Sequence, residues 1–357
     1  MTTIELLQCK MKGKIECALV TSDINRRYFT GMKSSAGTLL VFQDASYLII
    51  DFRYIEKARK TVSGCEVILQ EGGGGLYRQI NELCARHNIS EISLEAQNVT
   101  LAQSRQLSKK LDFELDESDK LSELIGSIRM IKTLEQIEKI IAAQRIAEAG
   151  FEHMLNFIRE GVSEREIALE LDFYMLSHGA EALSFDTIAL SGENTSLPHG
   201  VPGERRVNSG EFVLMDFGAV VDGYHSDMTR TVCVGEPSEK MRSVYEIVRK
   251  AQSLAIAQVK SGISGAQLDK IARDYISQNG YGECFGHSLG HGVGMDIHEA
   301  PTASPSSENV LEENMIVTVE PGIYIEGEFG VRIEDFVIVG ENGCENMTLA
   351  DKELIVL

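Results

Sequence analysis

Two strand-like apolar runs, Phe212-Val213-Leu214-Met215-Asp216-Phe217-Gly218 and Ser226-Asp227-Met228-Thr229-Arg230-Thr231, flank Val221-Asp222-Gly223-Tyr224, and this leaves the segment few ways to fold. Asp-Gly between two such runs is a two-residue hairpin turn, because both residues tolerate the positive φ that the turn demands. With Asp222 and Gly223 central, Val221 faces Tyr224 and Asp216 faces Thr229. Asp227 then lies diagonally across from Asp216 on one face of the ribbon. Diagonal neighbours are about 7–8 Å apart at Cα and closer at their side chains. Two carboxylates so placed repel one another unless positive charge lies between them. The alternatives are that one Asp caps a turn while the other is solvated, or that a bulge shifts the register.

A second hairpin runs from Ile316-Val317-Thr318-Val319-Glu320-Pro321-Gly322 to Gly330-Val331-Arg332-Ile333-Glu334-Asp335. Acidic residues in such apolar runs are unusual, since an unpaired buried charge is costly. Arg332 shares a face with Glu334 and offers a simple ion pair as the competing explanation. Between the hairpins lies Gly286-His287-Ser288-Leu289-Gly290-His291-Gly292-Val293-Gly294, followed by Asp296-Ile297-His298-Glu299. The His287/His291 spacing resembles a helical zinc motif, but Ser288 stands where a Glu is required. Four glycines in nine residues also oppose a helix. An extended, glycine-rich segment that brings imidazoles to a crowded centre is the expectation.

Four carboxylates with one imidazole form a hard, oxygen-dominated donor set, suited to Mn²⁺ or Co²⁺, with Fe²⁺ a further candidate. Two divalent cations would offset the four carboxylates and leave room for a shared water. Such a pair activates water and polarises a carbonyl, so the chemistry implied is hydrolysis.

The rest of the chain supplies context. At 357 residues it is longer than one core usually serves, which predicts two domains. A net charge of −20, from 54 acidic and 34 basic residues, disfavours a nucleic-acid or anionic-membrane partner. Seven scattered cysteines without a Cys-x-x-Cys pair argue against a disulfide framework or thiolate zinc site, and with no apolar leader the expected location is the cytoplasm. Residues 1–126 alternate short strands (Ala18–Val20, Thr38–Phe42, Tyr47–Ile50) with helical stretches, and Gly72 to Gly75 reads as a flexible loop rather than a phosphate cradle. A long helix between Ile131 and Arg159, N-capped at Thr133, opens a second domain spanning residues 127–357. Further helices are expected at Ser163–His178, Glu239–Ser261 and Gly265–Asn279, the first with a Ser-x-x-Glu capping box. The fold class is α+β.

Met215-Asp216-Phe217-Gly218, Ser226 to Thr231, Gly286 to Gly294, Val319-Glu320-Pro321-Gly322 and Val331 to Asp335 together resemble the pita-bread metallopeptidases, namely prolidase, aminopeptidase P and methionine aminopeptidase. Arg27-Tyr28-Phe29-Thr30-Gly31 and Asp51-Phe52-Arg53-Tyr54 resemble the N-terminal domain shared by prolidase, aminopeptidase P and creatinase, which methionine aminopeptidases generally lack. The resemblance implies a pita-bread catalytic domain behind a smaller α/β creatinase-like domain. It also implies an Xaa-Pro dipeptidase or aminopeptidase with two divalent metal ions per subunit. Asp216 would chelate one ion, Asp227 and Glu334 would bridge both, and His291 and Glu320 would complete the other.

Within the same resemblance Glu320 takes the proton from the nucleophilic water, while His287 and His298 line the substrate and steady the tetrahedral intermediate. His199 is a further substrate-side histidine, and Arg332 orients Glu334 or the substrate. The partners implied are short peptides with proline second, and a second copy of the chain in a homodimer. The competing readings are a metal-free, creatinase-like amidinohydrolase and a non-catalytic pita-bread binding module.

Overall fold

The computed structural model describes residues 1–357, which divide into two units, Met1–Arg129 and Met130–Leu357. The first unit is built on six strands: β1 (Cys17–Val20), β2 (Thr38–Phe42), β3 (Ser46–Ile50), β4 (Glu66–Leu69), β5 (Glu91–Leu94) and β6 (Glu114–Asp116). They form one sheet in the order β4-β3-β2-β1-β5-β6. The β1/β2 and β2/β3 pairs are antiparallel and the remaining pairs are parallel. Strands β1 to β3 are buried throughout, which is why they read as unbroken apolar runs. Six helices belong to this part of the chain: α1 (Thr3–Met11), α2 (Asp23–Thr30), α3 (Ile55–Thr61), α4 (Gly75–Arg86), α5 (Leu101–Lys110) and α6 (Lys120–Met130). Gly126, the expected end of the first domain, lies inside α6. The glycine run is a turn that leads straight into α4, with Gly73 and Gly74 at φ values of 66° and 88° that only glycine adopts cheaply.

The second unit contains four long helices, α7 (Leu134–Phe157), α8 (Glu164–Ser177), α9 (Glu239–Ile256) and α10 (Gly265–Gln278). Thr133 caps α7 as expected, through a capping box with Gln136, and Ser163 closes the capping box expected of it. Helix α9 ends at Ile256, short of the expected Ser261, because tertiary pairing takes over. There the Ser261 amide bonds the Gly340 carbonyl at 2.9 Å and the Gly262 amide bonds Leu311 at 2.8 Å.

The strands are β7 (Ala182–Leu183), β8 (Ile188–Ser191), β9 (Glu211–Phe217), β10 (Ala219–Val221), β11 (Tyr224–His225), β12 (Met228–Val234), β13 (Gly290–Gly292), β14 (Glu299–Ala303), β15 (Ile316–Val319), β16 (Gly322–Ile325), β17 (Phe329–Arg332), β18 (Asp335–Val339) and β19 (Cys344–Asn346). Two cores result. Phe151, Met154, Leu171 and Met175 of α7 and α8 pack with Val213 and Met215 of β9. Val244, Val248, Leu268 and Ala272 of α9 and α10 pack with Val317 and Val337 of β15 and β18. Each half presents one hairpin to the other. They are stitched by the Glu334 amide on the Thr229 carbonyl at 3.1 Å and the Thr231 hydroxyl on the Arg332 carbonyl at 3.0 Å.

Candidate metal centre

In the first hairpin Val221 pairs with Tyr224 and Asp216 with Thr229, the register read from the turn. Asp222 and Gly223 have φ of 50° and 84°, as a two-residue turn requires. The ladder is interrupted at Gly218 and at Ser226-Asp227, which lets the Asp227 carboxylate turn inward. The second hairpin is broken in the same way. Strand β15 pairs with β18 and β16 with β17, and the unpaired steps are Glu320-Pro321 on one side and Ile333-Glu334 on the other. Three of the four carboxylates thus occupy ladder breaks, and the fourth, Asp216, stands beside one. The His291 segment is extended, as β13, and approaches so closely that a Cβ on Gly290 would collide with the Thr318 carbonyl oxygen.

Asp216, Asp227, His291, Glu320 and Glu334 line a cavity of about 480 Å³ together with His199, His287, His298 and Arg332. Ligand atoms of Asp227, His291 and Glu334 lie within 4.8 Å of one another. Arg332 donates to Asp216 Oδ2 at 2.6 Å, and not to the neighbouring Glu334 on its own strand. Its Nε reaches the Thr229 hydroxyl at 3.0 Å, and that hydroxyl donates to Glu334 Oε2 at 2.7 Å. One guanidinium therefore steadies carboxylates from both hairpins.

Positive charge is still short. Asp216 Oδ1 and Glu334 Oε1 are buried with no hydrogen-bond partner. Burial, then the charges of Asp216 and Glu320, push the Asp227 carboxyl well above its usual range. Burial, then Asp227 and Glu320, do the same to Glu334. Burial raises Glu320 to about 8. Burial also lowers His291 to about 4, so the ring is neutral. Its Nδ1 faces the Gly292 carbonyl at 3.1 Å and must carry the proton, because a carbonyl only accepts. The bare Nε2 then points a lone pair toward Asp227 Oδ2 at 3.5 Å and Glu320 Oε1 at 3.4 Å. An imidazole lone pair among carboxylate oxygens, with one oxygen each on Asp216 and Glu334 left without a donor, makes the donor set of a hard divalent cation.

Two further residues matter to which the sequence motifs assigned no role. Tyr324 accepts from Arg332 Nη1 at 2.7 Å and meets His287 Nε2 at 2.9 Å. His287 is also held neutral, near 4, chiefly by burial, and its Nδ1 faces the Ser288 carbonyl at 2.8 Å. The Tyr324 hydroxyl therefore donates to His287, whose nitrogens are both engaged. His298 stacks edge-on against His291, with ring centroids 4.3 Å apart, and its side of the ring is open to the cavity. The signal for Tyr324 was the register itself: Gly322 pairs with Arg332, and Tyr324, two residues on, shares that face. Thr229 is the other, and it sits opposite Asp216.

The architecture and this donor set define a metal-dependent hydrolase. Residues 138–341 match metallopeptidase family M24, and residues 4–131 match the creatinase/prolidase N-terminal domain. The chain is 38% identical to an Xaa-Pro dipeptidase of Pyrococcus furiosus, over 98% of each sequence. Its structure superposes on an Xaa-Pro dipeptidase from Bacillus anthracis with a TM-score of 0.95 and 42% identity, covering 99% of both chains. It superposes on an X-Pro aminopeptidase from Thermotoga maritima with a TM-score of 0.89 and 37% identity, covering 96% of this chain and 98% of that one. The chain belongs to metallopeptidase family M24: a pita-bread domain follows a creatinase-type N-terminal domain, and the protein is a metallo-exopeptidase. No helix is long and apolar enough to cross a membrane.

Proposed function

We propose that the protein hydrolyses the bond between a free N-terminal residue and a following proline in short peptides, as its Xaa-Pro dipeptidase and X-Pro aminopeptidase relatives are named for doing. The observation that carries this is the Asp227–His291–Glu334 group, with unpartnered buried oxygens on Glu334 and on Asp216, set in a cavity large enough for a dipeptide. Asp216, Asp227, His291, Glu320 and Glu334 would hold two divalent cations per subunit, Mn²⁺ or Co²⁺. Bound there, the cations supply Lewis acidity that polarises a carbonyl and acidifies water.

The chain's own groups do the rest. Glu320, steadied by the Thr318 hydroxyl at 3.2 Å, accepts the proton of the attacking water. His298 offers its ring to the oxyanion of the tetrahedral intermediate, and His199 contacts the substrate from the exposed wall. His287 acts through Tyr324, and Arg332 keeps Asp216 oriented. A metal-free amidinohydrolase or a binding module of this fold is the weaker reading, because it would bury these carboxylates with nothing to offset them. We further propose a cytoplasmic homodimer, with residues 1–126 as a non-catalytic domain and 127–357 as the catalytic one.

The test is hydrolysis of Xaa-Pro dipeptides and Xaa-Pro-Yaa peptides by protein reconstituted with Mn²⁺ or Co²⁺. Turnover is expected, with two metal equivalents by elemental analysis. The ratio of the two activities separates dipeptidase from aminopeptidase, and bound metal with no turnover of either class sinks the reading. Light scattering gives the oligomeric state.

A further inference from the structure

One cavity-lining carboxylate has no place in the set above. Asp186 lies in the connection between β7 and β8, where Phe185 of the connection and Ile188 at the start of β8 also line the cavity wall. Its side chain is exposed and makes no hydrogen bond or ion pair, yet its backbone is pinned on both sides. The Ser184 amide bonds the Gly218 carbonyl at 2.9 Å, and the Ser184 hydroxyl lies 2.9 and 2.8 Å from the Ala219 and Ser226 carbonyls, next to Asp227. On the other side the Thr187 hydroxyl donates to Asp172 at 2.5 Å. Asp186 is therefore a carboxylate carried at the cavity wall by held neighbours, beside a half-buried aromatic and a half-buried aliphatic side chain.

Arg332 is the only arginine or lysine in the cavity lining, and it does not answer Asp186. Arg332 is committed to Asp216, Tyr324 and Thr229. His287 is neutral, with both nitrogens engaged. The negative charge is felt nearby: the Asp172 carboxyl is raised by burial and, in the same direction, by the charge of Asp186. A carboxylate set in a partly enclosed wall concentrates negative potential there. The neighbouring apolar surface suits a long aliphatic stem that ends in a cation, which is the build of lysine and arginine.

We infer that Asp186 is a specificity-determining residue, which pairs with a cationic side chain on the first residue of the substrate while Phe185 and Ile188 receive its methylenes. The inference rests on the peptidase reading and deepens it. The substrate's α-ammonium is the obvious competitor for Asp186, but every substrate carries that charge, so it produces no preference among first residues.

The experiment compares Lys-Pro with norleucyl-Pro, which has the same stem without the charge, and Glu-Pro with Gln-Pro. Values of kcat/KM are taken on the metal-loaded full-length protein, and calorimetric binding of the same dipeptides to the metal-free protein reads the preference without turnover. Lys-Pro is expected to exceed norleucyl-Pro by about fivefold, the size of a partly exposed charge pair, less so at high salt. Asp186→Asn should collapse that ratio toward one, and Asp186→Lys should turn the preference to Glu-Pro over Gln-Pro. A wild-type ratio near one in both readouts, or the same ratio in wild type and Asp186→Asn, overturns the inference. Binding preference without hydrolysis of any Xaa-Pro substrate would instead overturn the reaction and leave the role of Asp186 standing.

Discussion

Glu334 and Asp335 are adjacent in sequence and equally hidden, at 1% and 0% exposure, yet they meet opposite electrical surroundings. Adjacent side chains in extended backbone point to opposite sides, and the same alternation on β12 sends Thr229 to Glu334 and Arg230 to Asp335. On the far side from the cavity, Asp335 receives Arg230 at 2.8 Å, Lys352 at 2.6 Å and Asn346 at 2.8 Å. Burial alone would raise its carboxyl, but Arg230 and Lys352 outweigh burial and hold it below its usual range. On the cavity side, Glu334 has one hydroxyl donor and an orphaned oxygen, and its carboxyl is driven up. Where a buried carboxylate is structural, the chain supplies its own cations. Where it serves the site, the chain leaves the charge open for cations from outside.

The strongest way to break this comparison is to remove one carboxylate from each side. Asp335→Asn leaves Arg230 buried and short of its partner, a change that typically costs about 3–5 kcal/mol. Asp227→Asn removes a repelled, uncompensated carboxyl, so the metal-free protein is expected to be no less stable than wild type, although its metal stoichiometry falls below two. Urea midpoints of chelator-treated protein give the first result and elemental analysis the second. Equal destabilisation by both substitutions would show that the two regions are not different in kind.

A change of pH sharpens the same contrast. The folded, metal-free protein keeps the Glu320 proton up to about 8, whereas the unfolded chain releases it near the usual 4.5. Between those values the unfolded state binds fewer protons, so stability falls as pH rises through that window. Asp335 acts the other way: its contribution is present above its usual pKa and is lost only as pH falls through the depressed folded value. His287 and His291, lowered to about 4 from their usual 6.5, act like Asp335 and raise stability as pH climbs to about 6.5. The Glu320 loss therefore shows above that window: metal-free protein should lose on the order of 1 kcal/mol between about pH 7 and pH 8.5, and saturating Mn²⁺ should flatten the profile. A metal-free profile already flat over that range would mean that the cavity carboxylates are compensated by the chain after all.

How much of this the sequence revealed depended on the range of the interaction. Asp222-Gly223 fixed the first register because turn and strands are contiguous, so Asp216 against Thr229 was legible. The N-cap at Thr133 and the capping box at Ser163 were legible for the same reason. Arg332 was a different matter. The local pattern offered Glu334, two residues away, but the guanidinium binds Asp216, 116 positions distant, because the hairpins face one another. The break at Ile333-Glu334 was hidden too, since a continuous apolar run gives no sign of where pairing lapses, whereas Pro321, which has no amide hydrogen to donate, marked the one at Glu320. The end of α9 was misjudged because backbone partners from Leu311 and Gly340 compete there with helix propagation.

Tyr324 supplies the smallest and most selective test. Its hydroxyl accepts from Arg332 and donates to His287, and so links the guanidinium that holds Asp216 to the imidazole beside the cavity. Tyr324→Phe keeps the ring that packs in the hairpin and removes only those two hydrogen bonds. Arg332 retains Asp216 and Thr229, so metal content should be unchanged and the melting temperature should move by only a few degrees. His287 loses the donor on Nε2 and with it a fixed ring orientation. A lost hydrogen bond to this charged network is worth about 1.5 kcal/mol, so kcat should fall roughly tenfold while KM changes less. A metal-depleted Tyr324→Phe protein would make the hydroxyl part of the carboxylate scaffold. An unchanged kcat would make the Arg332–Tyr324–His287 chain structural, and would move it to the self-compensated side of the comparison with Asp335.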